Sequence, residues 1–176
     1  FFFKQKTAYE IVDCDWSSDV CSSDLGVNPK YRSVRGLPCF PTPEDLPGPV
    51  DLAVIATPAP TIPRVLASCG RAGIHAAVVI TAGFGETGAA GRRLEERVLA
   101  AARQAGVRML GPNCLGLARP RTGLNATFAR GHAAPGSIGL VSQSGAVCTA
   151  MMDWAALNKV GFSAIDRKST RLNSSH

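Results

Sequence analysis

The sequence predicts an α/β fold in which a Rossmann-like parallel sheet is followed by the start of a second α/β unit. Continuous apolar runs at 51–57 and 75–81 have the length and composition of strands buried on both faces. Helical patterns follow them at 62–71 and 92–104, and a third short strand is predicted at 107–110. Strands that alternate with helices at short spacing indicate βαβ units and a parallel sheet.

A ligand crevice is predicted at the carboxyl ends of these strands, where open parallel sheets bind their ligands. The turns there are small and polar, as a crevice requires. They are Thr57-Pro58-Ala59, Thr81-Ala82-Gly83 and Gly111-Pro112-Asn113. Asn113 is accordingly a further candidate for the crevice.

The second unit is predicted to begin at residue 136, after an irregular or hairpin-like segment at 118–135. A strand at 138–141 runs into a Ser/Gly turn, a helix follows at 146–157, and another strand begins within 161–165. The turn contains Ser142, Ser144 and Gly145. Unpaired N–H groups at a helix start attract anions, so the turn is a candidate phosphate site. An ordinary N-capped helix is the alternative interpretation.

Both ends of the chain are interpreted as translated sequencing adapters and excluded from the fold reasoning. Residues 166–176 match the translation of a common library adapter, and residues 15–25 match its reverse complement. Residues 4–11 resemble the primer that normally precedes it. We therefore assign 1–25 and 166–176 to the adapter and treat 26–165 as the native part.

The composition of the chain restricts the classes of function that it can have. The chain has 19 Lys+Arg and 13 Asp+Glu. The two flanks contain five of the basic and six of the acidic residues, so the native part contains 14 basic and 7 acidic residues. The basic residues are scattered, which argues against a nucleic-acid surface and suits a polyanionic small molecule. No apolar run approaches the roughly 20 residues of a membrane span.

The remaining cysteines predict reduced thiols in a cytoplasmic protein. They are Cys39, Cys69, Cys114 and Cys148, and none forms the C-x-x-C spacing of a zinc site, so no metal is predicted. His75 and His132 are interpreted as structural or surface residues, because neither has a Ser, Cys or acidic partner at a telling spacing. Asp153 is interpreted as a solvated or capping charge. Cys114 follows a turn and could face the crevice, but it is interpreted as an inert thiol.

The run from Gly83 to Gly88 fits a dinucleotide fingerprint, G-x-G-x-x-G. Two features disfavour NAD binding. That fingerprint belongs to the first βα turn of its domain, whereas a βα unit precedes this one, and Glu86 would face the pyrophosphate.

Several motifs, in order, resemble the NDP-forming acyl-CoA synthetases, which include the ADP-forming acetate–CoA ligases and, more distantly, the succinyl-CoA synthetase α subunit. The matching segments are Val27-Asn-Pro-Lys30, Val50-Asp-Leu-Ala-Val-Ile-Ala-Thr-Pro-Ala59, Ala82-Gly-Phe-Gly-Glu86, Arg108-Met-Leu-Gly-Pro-Asn-Cys-Leu-Gly116, Leu124-Asn-Ala-Thr-Phe128 and Val141-Ser-Gln-Ser-Gly-Ala146. The resemblance covers essentially all of 26–165, and its order and spacing make it specific.

The resemblance implies a CoA-binding Rossmann-like domain at 26–135 and the start of a flavodoxin-like ligase domain at 136–165. It implies that CoA contacts Asn28, Pro29, Lys30, Thr57, Pro58, Ala59, Ile80, Thr81 and Ala82. Ser142, Ser144 and Gly145 would receive the phosphate of a phosphohistidine. The family reaction converts acid, ATP and CoA into acyl-CoA, ADP and phosphate through an acyl phosphate.

Parts of the family pattern lie outside 26–165. The first βα unit with its glycine-rich CoA turn would precede residue 26, and the phosphorylated histidine would follow residue 165. The ATP-grasp part, as a domain or a β subunit, is also outside, and with it ATP or ADP and Mg. We therefore expect a CoA-binding fragment without catalytic residues or activity of its own, whose complete protein acts on a small carboxylic acid. A fusion with an N-acetyltransferase domain and a non-catalytic CoA- or nucleotide-binding module remain the alternatives.

Overall fold

The structure, a computed structural model, describes residues 2–4, 24–34, 36–129 and 131–167. The first sheet contains β1 (Phe2–Lys4), β2 (Asp24–Val27), β3 (Ser33–Val34), β4 (Leu37–Phe40), β5 (Leu52–Ile55), β6 (Ala76–Val79) and β7 (Arg108–Leu110). The second sheet contains β8 (Gly116–Arg119), β9 (Leu124–Thr127), β10 (Pro135–Ser142) and β11 (Phe162–Arg167). The α-helices are α1 (Ile62–Arg71), α2 (Ala89–Gln104) and α3 (Gly145–Leu157).

The first sheet has the strand order β3-β4-β2-β1-β5-β6-β7. β5, β6 and β7 are parallel to one another, and β2 is parallel to β4. β1 is antiparallel to both β2 and β5, so those two strands run in the same direction. The carboxyl ends of β2, β4, β5, β6 and β7 therefore lie along one edge. The predicted parallel sheet is confirmed, with β1 and β3 as antiparallel additions.

The antiparallel β1 lies between β2 and β5. It falls inside the segment interpreted as translated adapter. β2 begins at Asp24 and β11 ends at Arg167, so each strand extends about two residues beyond the boundaries drawn at 26 and 165. The interpretation of the flanks as adapter stays a prediction.

Helices α1 and α2 cover one face of the first sheet. Ile62, Leu66 and Cys69 of α1 are fully buried and pack in a core with Ala53, Ile55 and Val79 of the strands. The predicted helix at 62–71 is confirmed. The apolar side chains of α1 recur at spacings of three and four residues, which places them on one face of the helix.

Helix α2 begins at Ala89, three residues before the predicted start at 92. The predicted start leaves Gly91 outside the helix, and glycine is a poor helix former. In the structure Gly91 lies in the first turn of α2, and a Cβ there would meet the carbonyl oxygen of Phe84 at 1.8 Å. Close packing of the helix start on the preceding turn therefore requires a glycine inside the helix.

The hairpin β8–β9 covers the other face of the first sheet and confirms the hairpin-like interpretation of this region. Leu117 packs with Val54 and Val78 of the first sheet, whereas its neighbour Ala118 packs with the core beneath α3. Successive side chains on a strand point to opposite faces. One face of the hairpin thus packs on the first sheet, and its other face packs on the core of the second unit.

The second unit follows the predicted strand–turn–helix–strand order, with longer strands than predicted. β10 and β11 are parallel, and α3 packs on them through Met152 and Ala155, which contact Phe162 and Ile165. In the part of the chain that the structure describes, no helix is both long and apolar enough to cross a membrane.

A carboxylate links the short 3-10 turn Pro43–Asp45 to α1. Glu44 accepts hydrogen bonds from the hydroxyl of Ser68 and, at 2.9 Å, from Nε of Arg71. The Nη2 of Arg71 also lies 2.8 Å from Glu44 Oε1. Burial, the largest influence, opposes ionisation, but hydrogen bonds from Ser68, the Glu44 backbone, Arg71 and Thr42 outweigh it and lower the pKa of Glu44.

We expect Glu44 to make stability depend on pH on the acidic side. Its pKa is lower in the folded than in the unfolded chain, where 4.5 is the ordinary value. The stabilisation is therefore complete above pH 4.5 and is lost as pH falls through the folded pKa. Urea unfolding of wild type and Glu44→Gln between pH 7 and pH 3 measures this. The difference in free energy of unfolding should shrink below pH 4.5; a constant difference would contradict the assignment.

Candidate functional site

Asn28, Pro29 and Lys30 lie at the carboxyl edge of the first sheet, directly after β2. The N–H of Asn28 donates to the carbonyl of Phe40 at 2.9 Å, which ties the ends of β2 and β4 together. Asn28 Oδ1 accepts from the N–H of Lys30 at 2.9 Å. This side-chain turn leaves Pro29 and Lys30 exposed at the edge, where the ammonium group can meet an anionic ligand.

The turn after β5 contains a buried hydroxyl group. Oγ1 of Thr57 is shielded from solvent and has no hydrogen-bond partner among the described residues. Burying a hydroxyl without a partner is costly, so such groups call for an explanation. A polar ligand group at this edge would satisfy Thr57. Pro58 and Ala59 continue the turn into the 3-10 helix Ala59–Thr61 that precedes α1.

Hydrogen bonds connect the turns after β5, β6 and β7. Oγ1 of Thr81 donates to the carbonyl of Thr57 at 2.8 Å, and the carbonyl of Thr81 accepts from the N–H of Asn113 at 2.9 Å. Ile80 is anchored through its N–H to the carbonyl of Ile55 at 3.0 Å. The structure thus brings the three predicted turns together, with Ala82 exposed beside them.

We expect Thr57→Val to stabilise the free protein. The substitution keeps the shape of the side chain and removes a buried hydroxyl without a partner, while the Thr57 carbonyl still accepts from Thr81. A gain of about 1 kcal/mol in the free energy of unfolding is expected from the cost of an unsatisfied hydroxyl. Thr81→Val, which deletes a hydroxyl that does donate, is the matched control and should destabilise. Urea unfolding measures both changes. A loss of stability in Thr57→Val would contradict the conclusion that the buried hydroxyl of Thr57 has no hydrogen-bond partner.

Glu86 has a role that the sequence analysis missed. Instead of facing the crevice as an isolated charge, its Oε1 accepts from the N–H of Gly83 at 2.6 Å. Burial opposes ionisation, but hydrogen bonds from the backbone of Gly83, Glu86 and Phe84, with a smaller contribution from Asn113, outweigh it and lower the pKa of Glu86. The three-residue spacing from Gly83 to Glu86 is the signal that could have indicated it.

Cys114 does not reach the crevice. It is fully buried and its thiol donates to the carbonyl of Val79 at 3.3 Å, which supports the interpretation as an inert thiol. Burial raises the pKa of the Cys69 thiol to about 12, so it is also unreactive. Within 24–34, 36–129 and 131–167, no group of three or more His, Cys, Asp or Glu is placed to hold a metal ion.

His75 and His132 each have a polar contact with a residue outside the crevice turns. Nδ1 of His75 lies 3.4 Å from the carbonyl of Gly106, and Nδ1 of His132 lies 3.4 Å from Nδ2 of Asn125. Both side chains are exposed. These contacts agree with structural or surface roles.

The Ser/Gly turn of the second unit forms the start of α3. Ser144 is the N-cap, and its Oγ accepts from the N–H of Val147 at 3.3 Å. The N–H of Ser144 donates to Oγ of Ser142 at 3.1 Å, and Gly145 opens the helix. The N-capped helix is therefore what the structure contains. Binding of a phosphate by this turn remains a prediction.

The fold and its edge define a class of protein. Parallel strands, helices on one face, and polar turns collected at the carboxyl ends form a Rossmann-like ligand-binding domain. The chain belongs to the CoA binding domain family, which residues 23–120 match. Residues 135–166 match a second family, the succinyl-CoA ligase like flavodoxin domain.

Known proteins of the same kind are similar to this chain. It is 45% identical over 139 residues to an ADP-forming acetate–CoA ligase I of Archaeoglobus fulgidus, covering 79% of this chain and 20% of the relative. It is 43% identical over 121 residues to the α subunit of an ADP-forming acetate–CoA ligase I of Pyrococcus furiosus, covering 69% of this chain and 26% of the relative. The chain thus spans about a fifth to a quarter of the length of these relatives.

A solved structure agrees with the sequence relatives. The dinucleotide-forming acetyl-coenzyme A synthetase 1 of Ca. Korarchaeum cryptofilum, in complex with phosphate and ADP, superposes with a TM-score of 0.80 at 31% identity. The match covers 95% of this chain and 38% of that chain. The predicted family and fold class are confirmed.

Proposed function

We propose that this chain is the CoA-binding part of an ADP-forming acyl-CoA synthetase. The complete protein would convert a small carboxylic acid, ATP and CoA into acyl-CoA, ADP and phosphate, through an acyl phosphate and a phosphohistidine. The observation that carries the proposal is the collection of polar turns at one sheet edge in a member of the CoA binding domain family. The similarity to ADP-forming acetate–CoA ligases supports the choice of reaction.

The residues at the edge would divide the recognition of CoA among them. Lys30, exposed beside the Asn28 turn, would contact the phosphates of the nucleotide, because an ammonium group forms strong hydrogen bonds to phosphate oxygens. Thr57 would donate or accept through its buried hydroxyl. The remaining contacts would come from Pro29, Pro58, Ala59, Ile80, Thr81, Ala82 and Asn113, which line the same turns. The residues present fit the ligand, since the edge offers a cation and an unsatisfied hydroxyl.

The second unit would supply a phosphate site to the same reaction. Ser142, Ser144 and Gly145 would hold the phosphate of the phosphohistidine at the start of α3. Apolar side chains on α3 support a further covering part in the complete protein, because Met151, Trp154 and Leu157 are 40%, 52% and 85% exposed. That part would include the phosphorylated histidine and an ATP-grasp domain or β subunit, which would bind ATP or ADP with Mg.

Residues 1–25 and 166–176 would be translated adapter, and 26–135 and 136–165 the two native units. The complete protein would act in the cytoplasm, because its substrates are intracellular metabolites and the spacing of its cysteines favours reduced thiols.

Calorimetric titration of CoA into the full chain tests the proposal. Wild type should bind one CoA. Lys30→Gln should bind about tenfold more weakly, since losing a charge-assisted contact costs roughly 1.4 kcal/mol or more. Lys159→Gln, which removes an exposed lysine after α3, is the matched control and should bind as wild type does. No heat of binding with wild type would contradict the proposed function, whereas equal affinity of Lys30→Gln would contradict only the role of Lys30.

A further inference from the structure

The segment at 28–32 crosses the carboxyl end of β4. β2 runs parallel to β4 on one side, and β3 runs antiparallel to β4 on the other, so the chain passes over the end of β4 to connect them. The crossing covers two strand spacings, or about 10 Å. This crossing segment therefore lies along the same edge of the sheet as the turns after β5, β6 and β7.

Hydrogen bonds on both sides hold the crossing segment in place. On the side of β2, Asn28 Oδ1 accepts from the N–H of Lys30 at 2.9 Å. On the side of β3, the carbonyl of Arg32 accepts from the N–H of Cys39 at 2.9 Å. Tyr31 lies between these two anchored positions. Its backbone is therefore fixed at the carboxyl edge, directly beside Lys30.

The side chain of Tyr31 is open to solvent at this edge. It is 60% exposed, whereas Phe40, at the end of β4, packs against the core of the first sheet. Among the residues whose burial the structure describes, the other exposed aromatic side chains are Phe128, after β9, and Trp154, on α3. Tyr31 is thus an aromatic ring that the crossing segment can offer to a ligand.

A lysine followed by an exposed aromatic ring matches the nucleotide half of CoA. CoA contains a planar adenine base, and the ribose that holds this base also bears a phosphate. An aromatic side chain can stack on the base while an ammonium group contacts phosphate oxygens. The Cα atoms of Lys30 and Tyr31 are about 3.8 Å apart, as in any two neighbouring residues. The two side chains can therefore reach different parts of one nucleotide.

We propose that Tyr31 is a stacking contact for the adenine base of CoA and a specificity-determining residue for the nucleotide half of the ligand. This inference rests on the proposed CoA-binding function. The base is sequestered from water between the phenol ring and the crossing segment. Tyr31 acts at the opposite end of CoA from the reactive thiol, so it determines affinity and takes no part in the chemical step.

Calorimetric titration of CoA into the full chain, with a matched set of variants, tests the inference. Tyr31→Ala should bind CoA about tenfold more weakly, an effect of the size that stacking of one base on an aromatic side chain has. Tyr31→Phe keeps the flat ring and should bind within about threefold of wild type. Tyr31→Leu keeps an apolar side chain without a flat ring and should lose most of the same affinity. Trp154→Ala, which removes an exposed ring from α3, is the control and should bind as wild type does.

Proton NMR of the ligand separates stacking from a general loss of structure. The H2 and H8 signals of adenine should move upfield when CoA binds to wild type, because protons above the face of an aromatic ring are shielded. The upfield shift should be lost in Tyr31→Leu at a CoA concentration that saturates it. Because Tyr31 is exposed, urea unfolding of its variants should match that of wild type.

Two kinds of failure are distinguishable in these experiments. Wild-type affinity in Tyr31→Ala, or the same upfield shift in Tyr31→Leu as in wild type, would overturn the stacking contact and leave the proposed function intact. An equal loss of affinity in Trp154→Ala would also overturn it. Absence of CoA binding in wild type would overturn both the stacking contact and the proposed function.

Discussion

Phe84→Ala is expected to lower the free energy of unfolding by about 3–5 kcal/mol, the usual cost of emptying a buried aromatic site. Phe84 is 1% exposed and packs in the core between the first sheet and its helices. Its backbone carbonyl accepts from the N–H and the hydroxyl of Thr87 in the turn that precedes α2, and its buried ring anchors this turn to the core. Because small domains are stable by only about 5–15 kcal/mol, this one change removes a large share of the total.

Phe128→Ala is the matched control for that experiment. Phe128 is 47% exposed, so its truncation should cost about 1 kcal/mol, in proportion to the smaller apolar area removed from the protein interior. Urea unfolding of the two variants gives the comparison directly. Similar costs at both positions would contradict the assignment of Phe84 to the core of this fold.

Gly111→Ala is expected to have the second large effect, because two costs combine at this position. Gly111 has a φ of +97°, and a Cβ there would lie 2.3 Å from the carbonyl oxygen of Val79. The positive φ costs about 1–3 kcal/mol for a residue other than glycine, and relieving the overlap costs about 1–3 kcal/mol more. The overlap would push β7 away from β6 and displace the turn that carries Asn113.

A comparison of Gly111→Ala with Gly88→Ala isolates the cost of the overlap. Gly88 has nearly the same φ, +98°, but no described atom lies within 4 Å of a Cβ built there. Gly88→Ala should therefore be destabilised only by the unfavourable backbone conformation. Gly111→Ala should have a lower free energy of unfolding than Gly88→Ala, by the cost of relieving the overlap. Thermal or urea unfolding of both variants measures the difference. Equal losses would show that the close approach between Gly111 and β6 is not as the structure has it.

Much of the fold could be predicted because its signals are local. The apolar runs at 51–57 and 75–81 are too short for helices and too continuous for half-exposed strands, so they indicate buried parallel strands. The apolar spacing in α1 determines its face and its limits. The polar turns at Thr57, Thr81 and Asn113 then follow from topology, because parallel strands bring their carboxyl ends to one edge.

Other features depend on contacts between distant residues and could not be predicted from local patterns. The helix start at Ala89 requires Gly91 to pack against the Phe84 carbonyl, which outweighs the poor helix propensity of glycine. The hydrogen bond from the N–H of Asn113 to the carbonyl of Thr81 joins residues from different turns, so no single motif contains it. The place of β1 between β2 and β5 depends on pairing along the whole strand.

The sequence also left two interpretations of the Ser/Gly turn open. The structure contains the N-cap bond of Ser144, and that bond is compatible with either interpretation, because the hydroxyl proton and the first N–H groups of α3 can still face an anion. The choice between a structural cap and a phosphate site depends on a group outside the described residues, so it belongs to the proposed function.

The location of CoA on the chain is the central claim, and an NMR titration tests it most directly. CoA is added to the full chain labelled with nitrogen-15, and the shift of each backbone amide is followed to saturation. Our account predicts that the largest changes occur at the carboxyl edge of the first sheet, at Asn28, Lys30, Thr57, Thr81 and Asn113. The opposite edge, at Asp51, His75 and Val107, should change little. Largest changes at that opposite edge, or no changes at millimolar CoA, would contradict it.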